Sequence, residues 1–319
     1  MRIVVTGGAG FLGSRVVRAL LADRGRKAGL PDFDGILSVD LAPCPVEDPR
    51  VSSAVGDISV PAFARRVIDA DTVGVYHLAA VLSGQSEAEF DLGMRVNLDG
   101  TRALLEAARA TGRAPRFVFA SSVAVFGGEM PEVVPESLAP MPASSYGAEK
   151  AMGELLVNDF SRKGFVDGRV CRLPTIVVRP GKPNSAASSF ASGIIREPLA
   201  GAASNLPVPP ETRLWLSSPD AVVANLVHAM AVEGARIGTW RTLNLPGICV
   251  TAGEMLESLE RVGGRAARAL VSQEPEKRVA DIVCSWPGDF DFRRLLALGF
   301  SRDGDFDSVV RQYKDEFVR

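Results

Sequence analysis

Histidine and cysteine are scarce in this chain, and their scarcity removes whole classes of chemistry. Only His77 and His228 occur, too few and too far apart for a two-histidine zinc motif. The four cysteines, Cys44, Cys171, Cys249 and Cys284, form no C-x-x-C pair. No metal site and no disulfide framework is expected, and the pattern suits a reducing, cytoplasmic setting. Excess charge of one sign is also missing. A net charge of -2 provides no strong field to grip a phosphate backbone, so nucleic acid is not an expected partner. No apolar run approaches the roughly 18 residues of a membrane-spanning helix. The opening apolar run turns into glycine after six residues, too soon for a signal segment. Neither a membrane partner nor export is expected.

What is present is the composition of an ordinary soluble protein: 319 residues, 46% hydrophobic and 23% charged, enough apolar material for a sizeable core. Short β-branched runs at residues 3–5, 36–40, 72–78, 116–120 and 169–173 read as buried parallel strands. Helical spacing at 11–22, 95–111, 146–161 and 220–232 falls between or after them. Strand–helix alternation predicts an α/β fold, a doubly wound parallel sheet of the Rossmann type. Residues 1–173 form its expected dinucleotide-binding domain. The alternation lapses over the proline- and serine-rich residues 179–219. Residues 174–319 are therefore expected to be mainly a smaller substrate-binding region, with a segment near 215–247 returning to the main sheet. Residues 24–35 read as a polar loop.

The first strand runs into Thr6-Gly7-Gly8-Ala9-Gly10-Phe11-Leu12-Gly13. Gly8, Gly10 and Gly13 satisfy G-x-G-x-x-G, and Gly7, Gly10 and Gly13 satisfy G-x-x-G-x-x-G. Glycine there turns the chain tightly and lets backbone approach a pyrophosphate at a helix N-terminus. Asp40 closes the second strand. A carboxylate at that place accepts from the adenosine ribose hydroxyls and repels a 2′-phosphate, which favours NAD over NADP. Asp57 and Ile58 are candidates to meet adenine.

Tyr146-Gly147-Ala148-Glu149-Lys150 is a Y-x-x-x-K. On a helix its two ends share a face, so the ammonium is expected to lower the tyrosine pKa and make a general base of it. Ser121-Ser122 follows the strand before it, where a serine can hold a substrate hydroxyl.

Together with His77-Leu78-Ala79-Ala80, Val96-Asn97 and residues 122–127, these motifs resemble the extended short-chain dehydrogenase/reductase family over most of residues 1–180. The resemblance implies NAD as cofactor. It implies that Ser122 polarises the substrate, that Tyr146 is the acid/base, and that Lys150 binds the nicotinamide ribose. It implies that Asn97 kinks its helix and supports a proton relay. Phe11, Leu12, Leu78, Ala79 and Ala80 would line the cofactor, and Pro174 and Ile176 would meet the carboxamide. Val123 and Ala124 stand where the nucleotide-sugar dehydratases of the family carry Asp-Glu, which removes an elimination acid and base. Phe126 replaces a common tyrosine.

Residues 81–85, 165–169, 172–184, 213–219 and 286–291 resemble the branch of that family acting on four-carbon aldonates. That implies oxidation of a C2 hydroxyl, D-erythronate giving a 2-oxo acid. Such a small hydroxylated carboxylate needs hydroxyl and amide groups plus a cation. Ser83, Gln85, Thr175 and the serine- and asparagine-rich loop 183–192 are candidates for the former. Arg179, Lys182, Arg196 and Arg213 are candidates for the latter. The resemblance also implies a homodimer through the helices near 98–110 and 146–161. Two other readings stay open: a sugar-nucleotide epimerase with tightly bound NAD, and an NAD-sensing regulator without catalysis.

Overall fold

A computed structural model describes residues 1–23, 29–181 and 188–318. Its strands are β1 Arg2–Thr6, β2 Gly35–Asp40, β3 Val51–Val55, β4 Thr72–His77, β5 Arg116–Ser122, β6 Asp167–Leu173, β7 Thr175–Ile176, β8 Ser204–Asn205, β9 Arg213–Ser217, β10 Thr242–Asn244, β11 Ile248–Thr251 and β12 Val271–Ser272. Seven of them form one sheet in the order β10-β6-β5-β4-β1-β2-β3. Every neighbouring pair in it runs parallel. The chain winds outward from β1 through β3, then crosses back to β4 on the other side of β1. The sheet's switch point therefore lies between the carboxyl ends of β1 and β4, where a doubly wound sheet opens a crevice.

Period-two alternation builds the two faces. Ile3, Val5, Ile36, Tyr76 and Val118 pack on one side with the helices Phe11–Asp23 and Pro219–Ala231. Val4, Leu37, Val75, Phe117 and Phe119 pack on the other. The helices Pro61–Val67, Gly100–Ala110 and Ser145–Arg162 cover that second face. A separate core joins the antiparallel pair β9 and β11 to the helices Ser189–Leu199, Ala252–Gly263 and Phe306–Phe317.

The observed elements depart from the sequence reading in three places. β3 and the helix Pro61–Val67 lie between the expected second and third strands. Residues 95–111 are not one α-helix: Met94–Asp99 winds as a π-helix before Gly100–Ala110. The 179–219 stretch holds the helix Ser189–Leu199, with Pro198 in its last turn, and strand β9.

One buried ion pair locks the helix Ser145–Arg162 to the sheet. Arg172 on β6 donates from Nε to Glu154 Oε1 at 2.8 Å and from Nη2 to Oε2 at 2.7 Å. Ser121 on β5 donates to the same carboxylate at 2.6 Å. Both charges are almost fully buried, so removing either strands the other. Arg172→Met should lower unfolding stability by about 3–5 kcal/mol in urea denaturation. A loss below about 1 kcal/mol would equate the pair with a surface salt bridge.

Candidate active site

The glycine loop sits at the carboxyl end of β1, beside the switch point. Gly7 adopts φ 72°, a left-handed conformation that glycine tolerates, and a Cβ there would stand 2.8 Å from the Ala79 backbone nitrogen. A Cβ on Gly13 would collide with the Gly7 carbonyl, so the helix Phe11–Asp23 begins flush against the turn. Asp40 braces the loop: its Oδ2 accepts from Ala9 N at 3.0 Å and its Oδ1 from Leu41 N at 2.7 Å. Each carboxylate oxygen keeps a further lone pair. A close-packed turn, a helix N-terminus and a carboxylate at the end of β2 fit the pyrophosphate and ribose of NAD. Asp57 is engaged locally, accepting from Ser59 N and Oγ. Ile58 is buried against Gly100.

Hydrogen bonds fix the state of His77 at the end of β4. Thr101 donates to the Asn97 carbonyl at 2.6 Å, so His77 Nε2–H donates to Thr101 Oγ1 at 2.9 Å. Nδ1 then accepts from Thr6 at 2.8 Å, and Thr6 Oγ1 accepts from Ala79 N at 3.3 Å. Burial, with the Lys150 charge, pushes the imidazole down to about 3. His77 is a neutral strut that holds Leu78, Ala79 and Ala80 at the crevice.

Alternation along β5 sends its two final serines in opposite directions. Ser121 meets Glu154. Ser122 caps the turn Val123–Val125, its Oγ accepting from Ala124 N at 3.1 Å, and its own proton remains available to donate. The helix Ser145–Arg162 starts where Ser144 Oγ accepts from Gly147 N at 3.2 Å. A Cβ on Gly147 would strike the Ala124 carbonyl, so only glycine brings this helix against the turn capped by Ser122. Lys150 Nζ stands 4.8 Å from the Phe119 ring centre and 5.7 Å from that of Tyr146.

The electrostatics correct one expectation. Burial first, and Glu149 second, push Tyr146 up to about 12. The Arg179 charge pulls it down. Burial pushes Lys150 itself down to about 8, against Glu149 and Glu154, which raise it.

Asn97 lies buried in the π-helical segment. Its Oδ1 accepts from Val81 N at 2.8 Å, and its Nδ2 donates to Val81 O, Ser86 Oγ and Glu149 Oε2. Glu149, Ser86, Glu154 and Arg172 were not among the expected site residues. Helical spacing carried a signal for two of them, since Glu149 lies three residues after Tyr146 and Glu154 four after Lys150.

The candidate substrate cations separate clearly. Arg179 is half-buried, and among the described residues no carboxylate pairs with it. Burial and neighbouring Arg196 hold it below the usual guanidinium range. Arg196 is spent on the Arg179 carbonyl at 2.8 Å and on Glu197 at 2.6 Å. Arg213 is spent on Glu132, Asp289 and Cys249. Lys182 and residues 183–187 lie outside the described residues. Pro174, Thr175 and Ile176 continue from β6, and β7 pairs with β9. Ser83 opens a short helix at the crevice, and Gln85 bonds Glu89.

Residues 3–240 match the family described as the NAD dependent epimerase/dehydratase family. The chain belongs to that family. It is 55% identical to a D-erythronate dehydrogenase from Cupriavidus necator, over 99% of this chain and 98% of that protein. It is 45% identical to a D-erythronate dehydrogenase from Haemophilus influenzae, over 98% of each. A crystal structure described as a nucleoside-diphosphate-sugar epimerase from Agrobacterium tumefaciens superposes with a TM-score of 0.94 at 38% identity, covering 100% of this chain and 94% of that one. In this family the fit of the loop to NAD has a direct check. Gly13→Ala should weaken NAD binding at least tenfold, about 1.4 kcal/mol, by calorimetry on folded protein. Unchanged affinity would remove the loop from the cofactor site.

Proposed function

We propose that the protein is an NAD-dependent dehydrogenase that oxidises the C2 hydroxyl of D-erythronate to a 2-oxo acid. One observation carries the choice of substrate: the half-buried Arg179, whose charge bears on Tyr146 and which no described carboxylate neutralises. A desolvated cation beside the base suits a small substrate carrying a carboxylate. The two dehydrogenase relatives support the same reading.

NAD, held by the loop around Gly7, Gly10 and Gly13, by Asp40, and beside Leu78, Ala79, Ala80, Pro174 and Ile176, supplies the hydride acceptor. Arg179 holds the substrate carboxylate, with Arg196 bracing the Arg179 backbone. Ser122 and Thr175 orient the hydroxyls, and Ser83 lines the far side. Tyr146 takes the C2 hydroxyl proton. Lys150 binds the nicotinamide ribose, and Asn97 supports the path by which the proton reaches solvent. Residues 174–319 contribute most of the substrate-binding region, and the 215–247 segment returns β10 to the main sheet. Exposed Phe90 and Leu155, beside and on the helices of this face, suit a homodimer. Four cysteines without a disulfide suit the cytoplasm.

Purified protein with NAD should generate NADH absorbance on D-erythronate and little on L-threonate, D-threonate or with NADP. Silence with all three acids would reject the aldonate reading. Interconversion of a nucleotide sugar without net NADH would replace it with the epimerase. Tyr146→Phe should lower kcat by about 10²–10⁴ while NAD still binds. Turnover preserved with NAD affinity lost would reject its role as base.

Arg179→Gln should raise KM by about 10- to 100-fold. It should also shift the pH profile. Arg179 favours the phenolate, so its loss raises the Tyr146 pKa, and the rising limb of kcat/KM should move to higher pH. A KM and a limb that both stay in place would separate Arg179 from the substrate.

A further inference from the structure

The chemistry above leaves one wholly buried carboxylate without a task. Glu149 precedes Lys150, and its side chain is shut from solvent. Its Oε2 accepts from Asn97 Nδ2 at 2.6 Å and from Ser86 Oγ at 3.1 Å. Its Oε1 has no hydrogen-bond partner among the described residues. That oxygen presses on Gly93, where any Cβ would collide with it. A carboxylate fixed this firmly inside the protein costs several kcal/mol unless a cation compensates. Lys150, the next residue on the helix, carries a buried ammonium on which the Glu149 charge acts. No described carboxylate comes within ion-pair distance of that ammonium, so the compensation acts through space. Tyr146 shares the helix face at three residues' remove.

We infer that Glu149 is a positioning residue for the Tyr146–Lys150 pair: anchored by Ser86 and Asn97, its charge holds Lys150 protonated and sets the pH at which Tyr146 releases its proton. This rests on Tyr146 being the base. The other charges around the pair are accounted for. Glu154 on the same helix is tied to Arg172 of β6. His77 on β4 is neutral. Arg179 follows β7. Glu87, on the helix Ser83–Ala88, is exposed and bonded to Ser145 N. Glu89, Asp91 and Arg95 are exposed, and Asp99, Arg102, Glu106 and Arg109 pair with one another at the surface.

The signs follow from the geometry. Glu149 opposes a second negative charge on Tyr146 and favours the positive charge on Lys150, so it raises both. Neutralising it lowers both. Phenolate then forms at lower pH, and Lys150 loses its proton at lower pH. Both limbs of the kcat/KM profile therefore move toward acid.

The test is Glu149→Gln in the full chain, since the amide keeps the shape and its oxygen can still accept from Asn97 and Ser86. Two readouts are compared with wild type: kcat/KM against pH with NAD and D-erythronate, and ultraviolet titration of tyrosinate in the protein without substrate. Only three tyrosines contribute, and Tyr146→Phe assigns the Tyr146 step. Both limbs and that step are expected to move acidward by about one pH unit. Glu149→Asp, which keeps the charge, should fall between Gln and wild type. Gly93→Ala displaces the carboxylate by collision and should shift the profile acidward by less, which keeps the test open if Gln does not fold. Folded variants that lose rate at every pH while limbs and tyrosinate step stay fixed would make Glu149 a spacer and overturn the proposal. Full turnover in Tyr146→Phe would instead overturn the base assignment, and the tyrosinate titration would still report on Glu149.

Discussion

The hold of Arg172 on Glu154 is the constraint on which the site depends. Tyr146 and Lys150 ride on one helix, and Ser122 stands at the end of a strand that the helix crosses. Their relative placement is only as firm as the joint between helix and sheet. The glycines at 147 and 153 let that joint close, one against the Ala124 carbonyl and the other against the Phe119 ring. The guanidinium then pins it with two charge-assisted bonds in a buried setting, where such bonds are strong and directional. Ser121, on the opposite face of its strand from Ser122, joins the same carboxylate. Ser122, the serine proposed to orient the substrate, thus follows directly on the serine that secures the helix.

That joint also explains how so many charges survive beneath a crevice. Glu149, Lys150, Glu154 and Arg172 are all buried. Glu154 and Arg172 are directly paired, while Lys150 feels Glu149 and Glu154 only through space. Such an arrangement is sensitive to the loss of a single member. Tyr146 feels one carboxylate, Glu149, that resists a negative charge on it and one guanidinium, Arg179, that favours one. In the resting protein burial and Glu149 win, and the phenol is held protonated near 12. The positive ring of the bound cofactor would add to the inviting side, so the base is favoured once the cofactor is in place.

The sheet, and the helix that carries Tyr146 and Lys150, were legible in the sequence because their signals are local. Ile3-Val4-Val5 reads as a strand buried on both faces, and the four-residue step from Tyr146 to Lys150 is helical by arithmetic. Strand β3 escaped notice because Val51-Ser52-Ser53-Ala54-Val55 is an edge strand, largely exposed on both faces, and carries no apolar run. The π-helical winding at Met94–Asp99 could not be read from periodicity, since it coincides with the bonds of Asn97 to Val81 and Glu149, residues distant in sequence. Ser189–Leu199 was hidden by its own Pro198, which brings no N–H to the helix ladder and reads as a break. The rise of the tyrosine pKa through burial escaped the sequence for a related reason. Spacing shows that two groups share a face, but not how much water either has lost.

The choice among four cations shows the same limit from the other side. Sequence alone left Arg179, Lys182, Arg196 and Arg213 open, because exposure and pairing are properties of the fold. Arg213 lies in a cluster with Glu132, Asp289 and Cys249, where its charge is already matched. Arg196 is paired with Glu197 and grips the Arg179 backbone. Arg179 is the described one left with a desolvated, poorly matched charge, and its field falls on Tyr146. A cation there does two things at once. Under the function proposed above, it draws in an anionic substrate and favours the phenolate that the oxidation needs. Once a substrate carboxylate lands on Arg179, part of that help is neutralised, so anchoring and activation compete for one charge. The competition is eased if the carboxylate and the phenolate approach the planar guanidinium from different edges, which its five donors allow. A lysine, a point charge, offers no such division, and that is a physical reason for arginine at this position.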